Sequence, residues 1–518
     1  HRDLHVRSRR QRQMCIRDSY YITTPIYYVN DVPHIGHAYT TLACDVIARF
    51  KRLDGFDVFF LTGTDEHGQK VELAAKSKGV MPKAFVDNVS KNFQNLLECM
   101  NFSNDDFIRT TEKRHLDSCK KIWNTLLENG SIYLDKYSGW YSVRDEAFYS
   151  ESEIIDGKAP SGSPVEWVEE PSYFFNLSKW EDKLLSFYDQ NKSFISPNSR
   201  RNEVISFVKG GLKDLSVSRT SFTWGVKVPN DDDHIMYVWL DALTNYLSAC
   251  NYSNTNNETI SRFWPADLHM VGKDIIRFHA VYWPAFLMAA NLPIPKKIFA
   301  HGWWTNEGNK ISKSLGNVID PFDLVKKYGV DQIRYFLMRE VPFGNDGDFS
   351  HSQLINRINS DLANSFGNLF QRVTSMIFKN CHEVVPIKPD IFKDEDLKLI
   401  NSIKNSLHDY RNLMDEQKFD QFLKNIWMVI SDANKYVDEQ APWSLKKNDY
   451  QRMEVVLYTL TETIRQISIM LQPFIPNTSK AILDHIDIPL VERDIKSIEL
   501  FFSGGIKIST PNPLFPRI

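Results

Sequence analysis

The residues from Tyr20 to Gly68 read as strand, helix, strand, and that succession narrows the possible folds more than any other feature of the chain. YYITTPIYYV (20–29) combines β-branched and aromatic residues around Pro25, the pattern of a buried strand with a turn in it. In HIGHAYTTLACDVIARFKRLDG, Ile35, Tyr39, Leu42, Val46 and Phe50 recur at helical spacing, and Gly55 closes the segment. DVFFLTGTDEHG (57–68) is a strand running into a polar loop, followed by helical periods through 81–100 and a short strand at FIRTT. Alternation of this kind predicts an α/β fold, a doubly wound parallel sheet with right-handed crossovers.

The alternation breaks between about 115 and 225, where Tyr, Trp, Ser and Pro predominate and short strands are expected, and it returns at HIMYVWLDAL and LHMVGKDIIRFHAVYWPAFL. From about 351 four long amphipathic segments follow: INRINSDLANSFGNLFQRVTSMIF, LKLINSIKNSLHDYRNLM, FDQFLKNIWMVISDANKYVDEQ and VVLYTLTETIRQISIMLQPFIP. These predict an antiparallel helical bundle. The expected organisation is therefore a first catalytic half (20–114), an insertion (115–225), a second catalytic half (226–300), a loop region (301–350) and an all-α domain (351–518). Residues 1–19 stand apart. The first 18 carry six arginines and few apolar residues, and the segment is read as a disordered leader, tag or sequence junction outside the fold.

With 42% hydrophobic and 25% charged residues, the 518-residue chain has the composition of a multidomain globular protein. Its net charge of −3 gives no global basic signature, so a nucleic-acid partner has to be met by local Lys and Arg patches. No run approaches the roughly 18 apolar residues that span a bilayer. Cys15, Cys44, Cys99, Cys119, Cys250 and Cys381 form no C-x-x-C pair. That scatter fits reduced thiols rather than a disulfide framework or a zinc knuckle.

Two motifs carry chemistry. His34 and His37 flank Gly36 at a strand-to-helix junction, where unpaired N–H groups and the positive dipole end favour an anion and a glycine leaves the backbone open to a phosphate. There is no G-x-x-x-x-G-K-[ST], so a P-loop is excluded. GNKISKSLGN (308–317) places Lys310 and Lys313, with Ser312 and Ser314, on a glycine-hinged loop. Such a loop can close over a pyrophosphate leaving group and offset its developing charge.

H-I-G-H followed by K-I-S-K-S resembles the paired signatures of class I aminoacyl-tRNA synthetases, with Ile311 in place of the usual methionine. TTPIYYVN, FLTGTDEHGQK, YVWLDAL, GKDIIRFHAVYWPA, SDLANSFGNLFQR and NKYVDEQAPW look like the methionyl-tRNA synthetase family, over nearly the whole chain from Tyr20. The resemblance implies activation of L-methionine with ATP and Mg²⁺ to an adenylate, then transfer to the 3′ end of initiator and elongator tRNA(Met). It implies that His34, Gly36, His37, Lys310, Ser312 and Lys313 meet the phosphates, with His34, His37, Lys310 and Lys313 catalytic, while Gly272 and Asp274 hold the ATP ribose. It also implies that Asp65 pairs with the substrate ammonium, and that Ile26, Tyr28, Trp239, Ala242, Leu243, Tyr246, Ile275, His279 and Trp283 line a pocket where a polarizable thioether packs against aromatic rings. Leu243 departs from the proline of some members. In the bundle, Asn368, Arg372 and Trp443 match anticodon-reading positions, suited to stacking and hydrogen bonding with unpaired bases.

Many relatives hold zinc in the insertion; here Ser142 and Asp145 stand where cysteines would fall. No metal is therefore expected, and Trp140, Tyr141 and Phe148 are expected to hold the knuckle by apolar packing. Leucine, isoleucine and valine enzymes need a larger insertion than 115–225, and a cysteinyl enzyme needs metal-binding cysteines by the active site. A nucleotidylyltransferase shares H-x-G-H but needs no such bundle. A tRNA-binding paralogue without chemistry conflicts with the intact His34, His37, Lys310, Lys313 and Asp65. A monomer without a further C-terminal domain is expected, in the cytoplasm or alternatively an organellar matrix, with no membrane contact.

Overall fold

The computed structural model describes residues 18–518 apart from 30–31, 144–146, 150, 255–257, 307 and 311–317. The body of the expected leader, 1–17, and Asp145, Ser312 and Lys313 thus lie outside the described residues. Strand β1 (Ser19–Thr23) begins one residue inside the segment assigned to the leader, because Ser19 Oγ donates to the Arg262 carbonyl and Ser19 pairs with Asp57.

After β1 come β2 (Tyr27–Tyr28), helix α1 (Ile35–Leu53), β3 (Asp57–Asp65) and β4 (Asp106–Arg109). Helix α2 (Lys113–Glu128), β5 (Ile132–Ser142), β6 (Glu166–Phe175) and β7 (Ile195–Ser196) occupy the interval read as an insertion. Then follow α3 (Val238–Leu243), β8 (Leu268–Gly272) and β9 (Ile298–His301). β2 and β4 both pair with β3, and the order continues β3-β1-β8-β9-β7, every pairing parallel. Strand order reverses between β1 and β8, the crevice where open α/β sheets bind ligands.

The interval 115–225 differs from the short-strand reading. β5 and β6 form a long antiparallel ribbon, from Ile132↔Phe175 to Tyr141↔Glu166. β7 joins the parallel sheet beside β9, too short to leave an alternating pattern in the sequence. Ile122, Trp123 and Leu126 of α2 are buried in the same apolar cluster as Tyr21 and Val271 of the sheet. The strand of HIMYVWLDAL, Asp231–Met236, pairs antiparallel in a small separate sheet.

The C-terminal part is helical as expected, with differences in continuity. α4 (Val330–Arg339), α5 (Phe419–Gln440) and α6 (Tyr450–Leu471) are unbroken. LKLINSIKNSLHDYRNLM, read as one helix, is three pieces: Asp394–Ile400, Ser402–Asn405 and Leu407–Asp415. Ser402 Oγ donates back to the Leu399 carbonyl there, local competition for backbone groups of the kind serine offers. SDLANSFG lies in a π-helical stretch, Ile358–Gly367. Among the described residues no helix is long and apolar enough to cross a membrane.

A buried ion pair ties α1 to the helix that precedes the bundle, and through it to the bundle's Pro473 and Phe474 carbonyls. Arg334 of α4 and Asp45 of α1 are both fully buried, with Nη2 2.6 Å from Oδ2. The guanidinium also donates to the carbonyls of Met100, Pro473 and Phe474, and the carboxylate accepts from Ser103 and Arg49. Removing one partner of such a pair leaves a desolvated charge. Arg334→Ala is therefore expected to cost about 3–5 kcal/mol, read as a fall in the urea midpoint; a midpoint unchanged from wild type contradicts the buried-pair account.

Candidate functional site

Helix α1 starts where the sequence placed it. His34 is its N-cap: His34 Nδ1 accepts from Gly36 N at 3.1 Å, and His37 Nδ1 accepts from His34 N at 3.1 Å. Each imidazole therefore spends its Nδ1 lone pair on the backbone, so the proton of the neutral ring sits on Nε2, free to donate to an anion. Burial lowers the pKa of His34, and burial together with the neighbouring His34 lowers that of His37 further. The rings lie 3.9 Å apart, with His37 boxed by Tyr27 and Phe93. Gly36 matters for a different reason than expected. An added Cβ would stand 2.9 Å from His34 Cε1, so the glycine makes room for the capping ring itself.

Residues on either side of the K-I-S-K-S segment meet this helix. Lys310 ends the short strand Asn309–Lys310, paired with Trp304–Asn306 directly after β9. Ile319, just past the undescribed 311–317, accepts at its carbonyl from Ile35 N at 3.2 Å. His301 at the end of β9 meets Thr40 of α1, Nε2 to Oγ1 2.7 Å. Entry and exit of the K-I-S-K-S segment are thus tied to the first turns of the histidine helix.

Beside them a cavity of about 400 Å³ opens at the carboxyl ends of β1, β3 and β8. Its walls include Ile26, Tyr28, Asp65, Trp239, Ala242, Leu243, Tyr246, Ile275 and His279. Asp274 also lines it and accepts from Trp303 Nε1 at 3.2 Å. Gly272 lets that carboxylate turn inward, since an added Cβ would lie 2.5 Å from Asp274 Oδ1. Trp283 does not line the cavity. It is fully buried behind Tyr246, ring centroids 6.1 Å apart, and packs on Trp264. It lies one turn past His279, which carries it off the cavity face.

Sequence reasoning missed Pro25, Lys70, Asn245 and Phe278. Phe278 stacks on Trp239 with ring centroids 3.3 Å apart, and its position one helical turn after Ile275 and Asp274 was the available signal. On the cavity floor His279 Nδ1 donates to the Ile275 carbonyl, so Nε2 accepts from Tyr246 Oη at 2.7 Å. Burial pushes the His279 pKa down to about 4 and raises that of the Tyr246 phenol. The floor is a neutral imidazole and a phenol among aromatic rings, hospitable to a soft, uncharged side chain.

On the bundle, Asn368 and Arg372 lie one turn apart on the helix Asn368–Asn380. Arg372 pairs with Asp438 at 2.6 Å, and its guanidinium carbon is 5.9 Å from the ring of Trp443. Trp443 is 50% exposed, in the first turn of Pro442–Asn448. In the insertion, Tyr141 and Ser142 are buried in β5 and Trp140 packs edge-on to Trp167. Backbone register pairs Tyr141 with Phe148.

A parallel sheet with this strand order and a histidine-capped helix turn beside a cavity at the strand ends are marks of a class I synthetase. Residues 20–164 and 152–374 match the family described as tRNA synthetases class I (M), and 385–518 match the anticodon binding domain of methionyl tRNA ligase. The chain is 58% identical to the methionine–tRNA ligase of Rickettsia felis, over 97% of this chain and 99% of that one. It is 52% identical to that of Brucella suis, over 97% and 98%. Among solved structures, Mycobacterium tuberculosis methionyl-tRNA synthetase in complex with methionyl-adenylate superimposes with a TM-score of 0.93 at 50% identity, covering 96% of this chain and 100% of that one. The unliganded form of the same protein gives a TM-score of 0.88 at 47% identity, over 97% and 99%. This chain belongs to the methionyl-tRNA synthetase family.

His279 binds fewer protons folded than unfolded between about pH 4 and its ordinary 6.5. Its contribution to stability is therefore complete above pH 6.5 and is lost as pH falls through that window. His279→Gln is expected to flatten the decline of urea-unfolding stability below pH 6.5, by up to about 1.4 kcal/mol per pH unit. An identical slope in the variant contradicts a histidine held neutral.

Proposed function

We propose that this chain joins methionine to tRNA(Met), and the observation that carries the reading is one aromatic, thioether-friendly cavity adjoining a histidine-capped helix turn and a lysine loop. ATP enters as its Mg²⁺ complex. A methionine carboxylate oxygen attacks the α-phosphorus in line, the bond to the β-phosphate oxygen breaks, and methionyl-adenylate and pyrophosphate form. Asp65 holds the substrate ammonium, and the wall from Ile26 and Tyr28 to Trp239, Ala242, Leu243, Tyr246, Ile275 and His279 encloses the thioether. Gly272 and Asp274 hold the ribose. His34 and His37 donate from Nε2 to the phosphates, with Gly36 leaving room for the capping ring of His34 beside them. Lys310, Ser312 and Lys313 close over the leaving pyrophosphate. Catalysis is positioning and charge stabilisation without a covalent enzyme intermediate.

The 3′-terminal ribose of tRNA then attacks the adenylate carbonyl and AMP leaves. Asn368, Arg372 and Trp443 meet the anticodon of initiator and elongator tRNA alike; an exposed indole beside a guanidinium supports base stacking there. The domain divisions given above, a monomer, a cytoplasmic or organellar-matrix setting and an insertion without structural zinc complete the reading. Ser142 in a buried strand position, in place of a thiolate ligand, supports the last point.

ATP–pyrophosphate exchange with each of the twenty amino acids tests substrate and competence together. Exchange dependent on methionine is expected, and exchange dependent on another amino acid, or on none, overturns the reading. Trp443→Ala is expected to lower tRNA aminoacylation at least tenfold while leaving exchange within about twofold, a loss of order 1–3 kcal/mol for one stacked base. Equal loss in both assays contradicts an anticodon role.

A further inference from the structure

The sequence places a carboxylate, Asp241, in the middle of the cavity helix α3, between Trp239 and the pair Ala242–Leu243. It points away from the cavity and is buried. An unpaired buried carboxylate would cost several kcal/mol. Here both oxygens are occupied: His67 Nδ1 lies 2.7 Å from Oδ2, and His115 Nε2 lies 2.7 Å from Oδ1. Burial pushes the Asp241 carboxyl up, but the two imidazoles outweigh it and hold the group well below the usual carboxylate range. Cys119 Sγ lies 3.2 Å from His115 Nε2, and His115 Nδ1 lies 3.0 Å from Ser248 Oγ. His115, Cys119 and Asp241 are close enough to suggest a shared metal. The 2.7 Å between Nε2 and Oδ1 is nevertheless a hydrogen bond; two tetrahedral ligand atoms at bonds of about 2.0–2.1 Å stand roughly 3.3 Å apart.

The knot joins three segments that approach the cavity from different sides. His67 follows Asp65 by two residues at the end of β3, and the residue between them is clamped as well, with Arg109 donating to both Glu66 oxygens at 2.6 and 3.0 Å. α3 carries the opposite wall, with Tyr246 in the next turn. His115 on α2 anchors both against the sheet core. One carboxylate therefore fixes the distance from the Asp65 segment to the Trp239–Leu243 wall.

We infer that Asp241 is a positioning residue for amino-acid selection, a spacer that sets how long a side chain fits between Asp65 and the α3 wall. The inference rests on the methionine reading above. Asp241 touches neither substrate nor phosphate, so loosening it acts on amino-acid binding and leaves the ATP half of the site in place. Three measurements on the full chain by exchange assay test it: the KM for methionine, the KM for ATP, and the ratio of kcat/KM for methionine to that for ethionine, one methylene longer.

Asp241→Asn keeps the shape and removes the charge; His67→Gln severs only the link to the Asp65 segment and decides the matter if the first variant does not fold. Each is expected to raise the methionine KM roughly tenfold and to narrow the methionine-to-ethionine ratio severalfold, the size of effect one methylene has in an apolar pocket. kcat and the ATP KM are expected to stay within about twofold, a split that general loss of structure would not produce. An unchanged methionine KM and ratio, or parallel losses in kcat and ATP KM, overturn the spacer role. Wild-type protein without methionine-dependent exchange overturns the underlying reading instead.

Discussion

Helix α1 is the strut on which site and bundle both depend. Its 19 residues span roughly 28 Å at 1.5 Å per residue. At the N-terminal end the His34 cap, the Ile35 bond to Ile319 and the Thr40 contact with His301 fix the turn proposed to meet the phosphates. Towards the C-terminal end the helix is held from later in the chain: Asp45 by Arg334 of α4, and Lys51 and, just beyond, Asp54 by Asp415 and Arg411 of the bundle. A buried pair such as Asp45–Arg334 adds little stability over an apolar replacement, yet its directional bonds fix how two domains sit.

The electrostatics of the site follow from where protons are kept. Burial keeps His34, His37 and His279 neutral, and backbone contacts decide which nitrogen carries each proton. Two of these rings carry Nε2–H donors at the start of α1 without adding fixed charge. The third accepts from Tyr246 and leaves the cavity floor uncharged. In the proposed reaction formal positive charge belongs to Lys310 and Lys313, and Lys310 ends a strand of a small separate sheet. In the proposed reaction, neutral donors set in advance and a separate cationic segment together meet charge as it develops on the leaving group.

Much of this was legible in the sequence because the responsible patterns are local. The periodicity of α1 and its histidine cap, the parallel sheet, and the gathering of Asp65, Trp239, Tyr246 and His279 at the strand ends all follow from short motifs in order. The rest depends on contacts distant in the chain. β7 is two residues long and joins the sheet only because β9 offers an edge. Phe278 lines the cavity where Trp283 was expected, because facing direction on the helix, rather than residue type, decides which ring reaches it. The break of 394–415 into three helices coincides with a serine bond back to the backbone, Ser402 Oγ to the Leu399 carbonyl, that periodicity does not register. Asp241 was hidden for a similar reason: its partners His67 and His115 are 174 and 126 residues away.

The central claim is that the histidine turn, the lysine loop and the aromatic cavity serve one adenylate. A crystal structure with methionine and a non-hydrolysable ATP analogue tests it most directly. The account predicts the thioether against Tyr246 and His279, the ammonium at Asp65, and phosphate oxygens within hydrogen-bond distance of both His34 Nε2 and His37 Nε2. Phosphates bound away from that turn, or a methionine side chain outside the Trp239–His279 enclosure, would contradict it.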